Sequence, residues 1–234
     1  VTKKAVFNWS GGKDSALALH LVLQDRSTTV VSLITTLDKE TGKSFLHGIP
    51  VHKLQEQAKS IGIPLYVIEF STQDRNYEKQ YLSAVEHFKA LGVTQFIFGD
   101  IHLSQVKTYR EKHLNPLGIE VVEPLWDKSS AEVIQQFFES GIQAKIVVTQ
   151  ADKLNETYIG QVLNPSLVES FPIGIDPCGE FGEYHTFAFA GGPFKQSIHY
   201  PTERRIKSSY QVNLDNGETT FTDYWQVQVE DNNE

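Results

Sequence analysis

Residues 10–15 read Ser-Gly-Gly-Lys-Asp-Ser, set between the β-rich stretch AVFNW and the leucine-rich pattern ALALHLVL. These types at this spacing suit an anion. Gly11 and Gly12 let the backbone approach a phosphate without Cβ interference and turn its N–H groups toward it. A helix opening near Lys13 adds its positive dipole end and free N–H groups. Ser10 and Ser15 can donate hydroxyl hydrogen bonds, and Lys13 supplies a point charge. The glycines and lysine are too close together for the Walker A spacing. Asp14 has two readings: a ligand for the hard cation that accompanies phosphate, or a helix N-terminal acid favoured by the dipole. The plain alternative for the whole stretch is a glycine turn and helix cap, with Lys13 and Asp14 decorating the first turn.

A second concentration lies in GIDPCGEFGEYHTF, residues 174–187. Glu180, Glu183 and His185 could move protons or grip an amine, and Tyr184 offers an aromatic face to a cation. By spacing alone the same residues read as an irregular loop whose acids cap helices. Cys178 has no basic neighbour to lower its pKa and reads as structural. Gly99-Asp100 closes a strand; Asp100 either binds magnesium or ribose, or caps the next helix. That helix carries Tyr109, Arg110 and Glu111, with Arg110 suited equally to a phosphate or carboxylate and to a surface salt bridge. His47-Gly48 is either a platform for a base or an exposed loop. Trp126, after Pro124, is either a pocket wall or a core residue.

The elements that must carry these residues alternate. Strand patterns at 5–9, 28–37, 64–70, 95–100, 119–126 and 143–150 are interleaved with helical patterns at 13–25, 51–62, 75–92, 105–114 and 129–141. Ser129 and Glu132 form a capping-box signature. Repeated βα units predict an α/β fold with a doubly wound parallel sheet, Rossmann-like. In such a sheet ligands bind beyond the carboxyl ends of the strands, where residues 10–15 fall. After residue 150 the rhythm changes: short helical pieces, the 172–192 loop running into an aromatic strand, then alternation around Asn216-Gly217 that reads as a hairpin. The expected division is a nucleotide-binding domain at 1–150 and a smaller α+β unit at 151–234. Residues 230–234 read as a solvated tail.

Composition narrows the classes. The 234 residues carry a net charge of −8, and the densest basic cluster is at 203–207. Nucleic acid is therefore an unfavoured partner. One cysteine excludes an internal disulfide and a cysteine zinc cluster, and fits a reducing cytoplasm. The sequence reads as free of signal peptide and membrane span. Exposed strands near the end make a homo-oligomer an open expectation.

The hexad at 10–15 matches, residue for residue, the pyrophosphate loop of the ATP pyrophosphatase (PP-loop) superfamily, which is adenine nucleotide alpha hydrolase-like. FGDIHLSQVKTYRE (98–111), EPLW (123–126) and the 174–187 loop resemble signatures of the diphthine–ammonia ligase family, over residues 5–198. The resemblance implies an AMP-forming amide ligase using ATP and Mg2+. It implies ATP on Ser10, Gly11, Gly12, Lys13, Asp14, Ser15, His47, Gly48, Gly99 and Asp100, with metal at Asp14 and Asp100. It implies catalysis by Lys13, Asp14, Glu180, Glu183 and His185, and substrate contacts by Arg110, Trp126 and Tyr184. The implied partners are ammonia and a carboxylate acceptor, diphthine of elongation factor 2 in the family. An acid is expected where this chain has His185. The rival readings are a tRNA-modifying enzyme of the same superfamily, disfavoured by charge and the lone cysteine, and a nucleotide-binding regulatory module without turnover.

Overall fold

A computed structural model describes residues 2–45, 47–71, 77–213 and 219–229. Five parallel strands form the first sheet: β1 (Lys3–Asn8), β2 (Thr28–Asp38), β4 (Leu65–Phe70), β5 (Gln95–Ile97) and β6 (Glu120–Val122). Their order is β4-β2-β1-β5-β6. This is the Rossmann order, in which the connections reverse direction between β1 and β5. The helices between them are α1 (Lys13–Gln24), α2 (Val51–Ile61), α3 (Tyr77–Ala90) and α4 (Ser104–Leu114). The β-branched run of β2 is buried through its middle, as a strand covered on both faces must be. Gly62 closes α2 in the left-handed conformation, φ 85°. Two apolar clusters fill the layers on either side of the sheet, one around Phe7, Leu17 and Leu33, the other around Val6, Val85 and Phe96.

The short strand β3 (Lys43–Ser44) pairs antiparallel with Leu37 and Asp38 of β2. Beyond Asn8 it takes the edge that β1 has vacated, because β4 holds the other edge. The chain after β3 is thereby carried over the loop that follows β1.

Helix α5 (Ser130–Glu139) opens with the expected capping box between Ser129 and Glu132. The strand that follows departs from expectation. β7 (Gln143–Gln150) does not extend the parallel sheet; it belongs to a second, antiparallel sheet of order β8-β7-β10-β9, with β8 (Tyr184–Ala190), β9 (Arg205–Asn213) and β10 (Thr219–Val227). The break between sheets thus lies before residue 143, not at 150. β7 is buried on both faces in its second half, so its apolar run carries no mark of which sheet it joins. Strands β9 and β10 pair in hairpin register; the expected turn at 216–217 and the tail at 230–234 lie outside the described residues. A short helix α6 (Pro165–Glu169) precedes the 172–183 loop.

The second sheet is fastened to the first at the loop after β1. The Ala188 N–H of β8 donates to the Gly11 carbonyl at 2.9 Å, and the Lys13 N–H donates to Thr186 Oγ1 at 2.9 Å. Gln57 of α2, fully buried, accepts from Trp9 Nε1 and donates to the carbonyls of Gly11 and Ala188. Among the described residues no helix is long and apolar enough to cross a membrane.

Candidate active site

A cleft of about 570 Å³ opens at the carboxyl ends of β1, β2 and β5 and is closed behind by β8 and the loop before it. Ser10, Lys13, Asp14 and Ser15 line its floor; Gly99 and Asp100 line one side, and His47, Glu180, Tyr184 and His185 also face it.

The loop at 10–15 is built for close approach. Gly12 is the N-cap of α1 and brings no side-chain cap of its own. Ser10 Oγ accepts from the Gly12 N–H at 3.3 Å and donates to Ser15 Oγ at 3.1 Å. Two of the N–H groups assigned to an incoming anion are therefore occupied within the protein, Gly12 by Ser10 and Lys13 by Thr186. The first turn of α1 beyond them faces the cleft. Gly99 permits this turn to sit where it does: a Cβ there would stand 3.0 Å from Ser15 Cα.

Lys13 is 2% exposed, its ammonium donating to both Asp14 oxygens, at 2.9 and 2.7 Å, and to the Cys178 carbonyl oxygen. Burial alone would lower its pKa; the Asp14 carboxylate, with Tyr184 and Cys178 beyond it, outweighs burial and moves it upward. The lysine is a permanent charge on the cleft floor.

Around Lys13 the cleft has two poles. On one side stand Asp14, Asp100 and Glu180. Burial, then the charges of Asp14 and others, push the Glu180 carboxyl up to about 7. On the other side His47 and His185 lie 4.8 Å apart between ring centroids. His47 Nδ1 is 3.0 Å from the Thr186 carbonyl. A carbonyl only accepts, so this nitrogen carries the proton and Nε2 is the free acceptor. Burial lowers the pKa of both rings, further at His185 through His47 and Lys13, so both are uncharged at neutral pH.

The structure places several of the expected site residues away from the cleft or in other contacts. Glu183 does not face the cleft. It is 1% exposed, and its oxygens accept from the N–H groups of Asp176 (3.3 Å) and Phe181 (3.0 Å), clasping its own loop. His185 groups with His47, not with the acids. Trp126 neither lines the cleft nor enters the core; its ring lies under the Lys107 ammonium at 4.1 Å. Gly48 also stands outside the cleft lining, beside Gln226. Tyr184 is 2% exposed, its hydroxyl bonded to the Pro177 carbonyl at 2.5 Å and its ring 5.4 Å from the Lys13 ammonium. Arg110 lines the cleft, but its guanidinium already bridges Asp100 and Glu123. Cys178 is buried, its thiol pushed up to about 12 by that burial, which fits a structural residue.

Residues without a sequence signal of their own complete the site. Thr186 joins the 10–15 loop to His47 through its hydroxyl and its carbonyl. Asn8, at the end of β1, lines the cleft and is held by Tyr81 and the Ile97 carbonyl. Glu123 is visible in sequence only as part of the EPLW signature.

Among the described residues no group of three or more His, Cys, Asp or Glu side chains is arranged to hold a metal by itself. Asp14 and Asp100, each already beside a cation, offer the one or two carboxylates that Mg2+ takes when nucleotide phosphates supply further oxygens. The donor set fits a metal arriving with a nucleotide.

Strand order and cleft define an α/β protein with a glycine-rich loop at the reversal point of a Rossmann-ordered sheet. The chain belongs to the diphthamide synthase family: the N-terminal domain of that family matches residues 3–121, and its C-terminal domain matches residues 129–215. The diphthine–ammonia ligase of Bos taurus is 26% identical, over 81% of this chain and 79% of the relative. That of Homo sapiens is 32% identical over 35% of this chain and 33% of the relative. Among solved structures, the U34-tRNA thiolase NcsA of Methanococcus maripaludis, determined with its 4Fe-4S cluster, overlaps with a TM-score of 0.37 at 16% identity, covering 59% of this chain and 58% of the other.

Proposed function

We propose that this chain is an ATP-dependent ligase that joins a carboxylate to ammonia, releasing AMP and pyrophosphate. The observation that carries the reading is Lys13: a buried, permanently charged lysine on the phosphate loop, facing the same cleft as a carboxyl, Glu180, held near neutrality. A charge fixed on the cleft floor stabilises the developing negative charge of a leaving pyrophosphate without reorganisation.

ATP would lie with its phosphates on residues 10–15, and Asp14 and Asp100 would hold the Mg2+ that accompanies it, which would neutralise phosphate charge. A carboxylate oxygen of the acceptor attacks the α-phosphorus; the α–β bridging bond breaks, and pyrophosphate leaves toward Lys13. Ammonia then attacks the acyl carbon and AMP departs. Glu180 takes the proton that the attacking nitrogen must shed, as a carboxylate of pKa near 7 is suited to do. The uncharged His47–His185 pair borders the phosphates without adding a second positive charge beside Lys13. The relatives' name points to diphthine as the acceptor, which the family resemblance places on elongation factor 2, and the lone cysteine fits the cytoplasm as the compartment.

The test is product analysis with α-labelled ATP, Mg2+, ammonium and a panel of carboxylates that includes diphthine-bearing elongation factor 2. AMP and pyrophosphate in equal amounts, dependent on acceptor and lost in Lys13→Ala, support the reading. ADP as product, or binding without cleavage under every condition, overturns it.

A further inference from the structure

The EPLW stretch has no part in the chemistry above, yet it contains a carboxylate only 1% exposed, Glu123. A buried carboxylate is costly unless its partners are well placed. Its partners are both on α4: Arg110 Nη1 donates to Oε1 at 3.2 Å, and Lys107 Nζ stands 3.5 Å from Oε2 as an ion pair without a hydrogen bond. Each cation is also seated on an aromatic ring, Arg110 at 3.8 Å over Phe98 and Lys107 at 4.1 Å over Trp126. Trp126 is brought there by the tight turn in which its N–H donates to the Glu123 carbonyl at 3.1 Å.

This grip matters because α4 has little else to hold it. Leu114, at its last position, is the helix's one buried residue, and His113 beside it faces Glu78 at 3.5 Å. Leu103, Val106 and Tyr109 line the cleft yet remain exposed, and no apolar burial fixes that part of the helix. An element with so few buried apolar contacts opens locally at small cost unless polar contacts restrain it.

We infer that Glu123 is a positioning residue: with Trp126 it pins Lys107 and Arg110 and so fixes α4 as the wall of the cleft opposite the histidines. Arg110 then stands fixed beside Asp100 at the acidic pole. That this wall serves the acceptor rests on the proposed ligase reaction; that Glu123 fixes the wall does not.

Hydrogen exchange followed by mass spectrometry on the full chain separates the two. In Glu123→Gln and Trp126→Leu, amides of residues 103–110 should exchange at least about tenfold faster, the size expected for loss of a charge-assisted contact. Amides of α1 should be unchanged, and affinity for a non-hydrolysable ATP analogue should stay within about twofold. The acceptor KM should rise about tenfold with kcat less affected. Should Glu123→Gln fail to fold, Lys107→Gln, a change at a partly exposed side chain, carries the same expectation for exchange. Unchanged protection of 103–110 overturns the inference, as does faster exchange spread equally over α1 and α4. Absence of any ligase turnover, with the exchange result intact, counts against the reaction and leaves the assignment of Glu123 standing.

Discussion

A Cβ placed on Gly12 would stand 2.5 Å from Cε1 of His47. Gly12 itself has φ −89° and ψ 177°, a conformation open to any residue. The glycine is therefore required by the neighbouring ring and not by the backbone. Gly11 differs, for it combines φ 84° with Leu54, Gln57 and Ile49 all within 2.9 Å of the place an added methyl would take.

The two alanine variants should part company. Gly12→Ala should keep its melting temperature within a few degrees while affinity for a non-hydrolysable ATP analogue falls on the order of 10- to 100-fold, because His47 and the loop must shift. Gly11→Ala should lose about 1–3 kcal/mol of stability. Calorimetric titration and thermal melts check both. Equal melting temperatures for the two variants would contradict the distinction.

In the proposed reaction Glu180 sets a pH dependence. As proton acceptor it must be ionised, so kcat should rise with pH through about 7 and level above it, and Glu180→Gln should lack that limb. Stability moves the other way. The folded-state pKa lies above the ordinary carboxylate value, so the native chain holds a proton that the unfolded chain has released. This contribution is fully present below about 4.5 and is lost as pH rises through about 7. Melts from pH 4.5 to 8 should show wild type losing more than Glu180→Gln.

Glu183 should behave as structure. Glu183→Gln removes one acceptor oxygen from the loop's clasp and should cost about 1–3 kcal/mol, with the pH limb of kcat still in place. Loss of that limb in Glu183→Gln, rather than in Glu180→Gln, would reverse the two assignments.

The Cys178 thiol, pushed up to about 12 and bonded through Sγ to the Ser130 carbonyl at 3.3 Å, should resist labelling. Ellman's reagent at pH 8 should find no reactive thiol in the native chain and one after denaturation. Rapid labelling of the native protein would count against the buried placement.

Local sequence carries the parts of the site that are themselves local. The hexad at 10–15, its position after β1 and the Ser129–Glu132 capping box depend on neighbours in the chain, and they are legible there. The sheet to which β7 belongs is not, because a strand buried on both faces reads alike in parallel and antiparallel company. Nor does spacing distinguish Glu180 from Glu183. The two are three residues apart in one loop, and the left-handed turns at Gly179 (φ 72°) and Gly182 (φ 80°) help determine which carboxylate meets the cleft. The pairing of His47 with Gly12 and His185 depends on β3 occupying the edge left by β1, a fact of sheet geometry without a local residue code.

The hydrogen bonds from Ala188 to Gly11 and from Lys13 to Thr186 also fix an order of events during synthesis. The first sheet has emerged from the ribosome long before β8 exists, and in that interval its 10–15 loop lacks the strand that shapes it. The finished shape of residues 10–15 therefore arrives late, with the final third of the chain. A copy that ends before β8 has the strands of the first sheet but neither of these two anchors for the 10–15 loop.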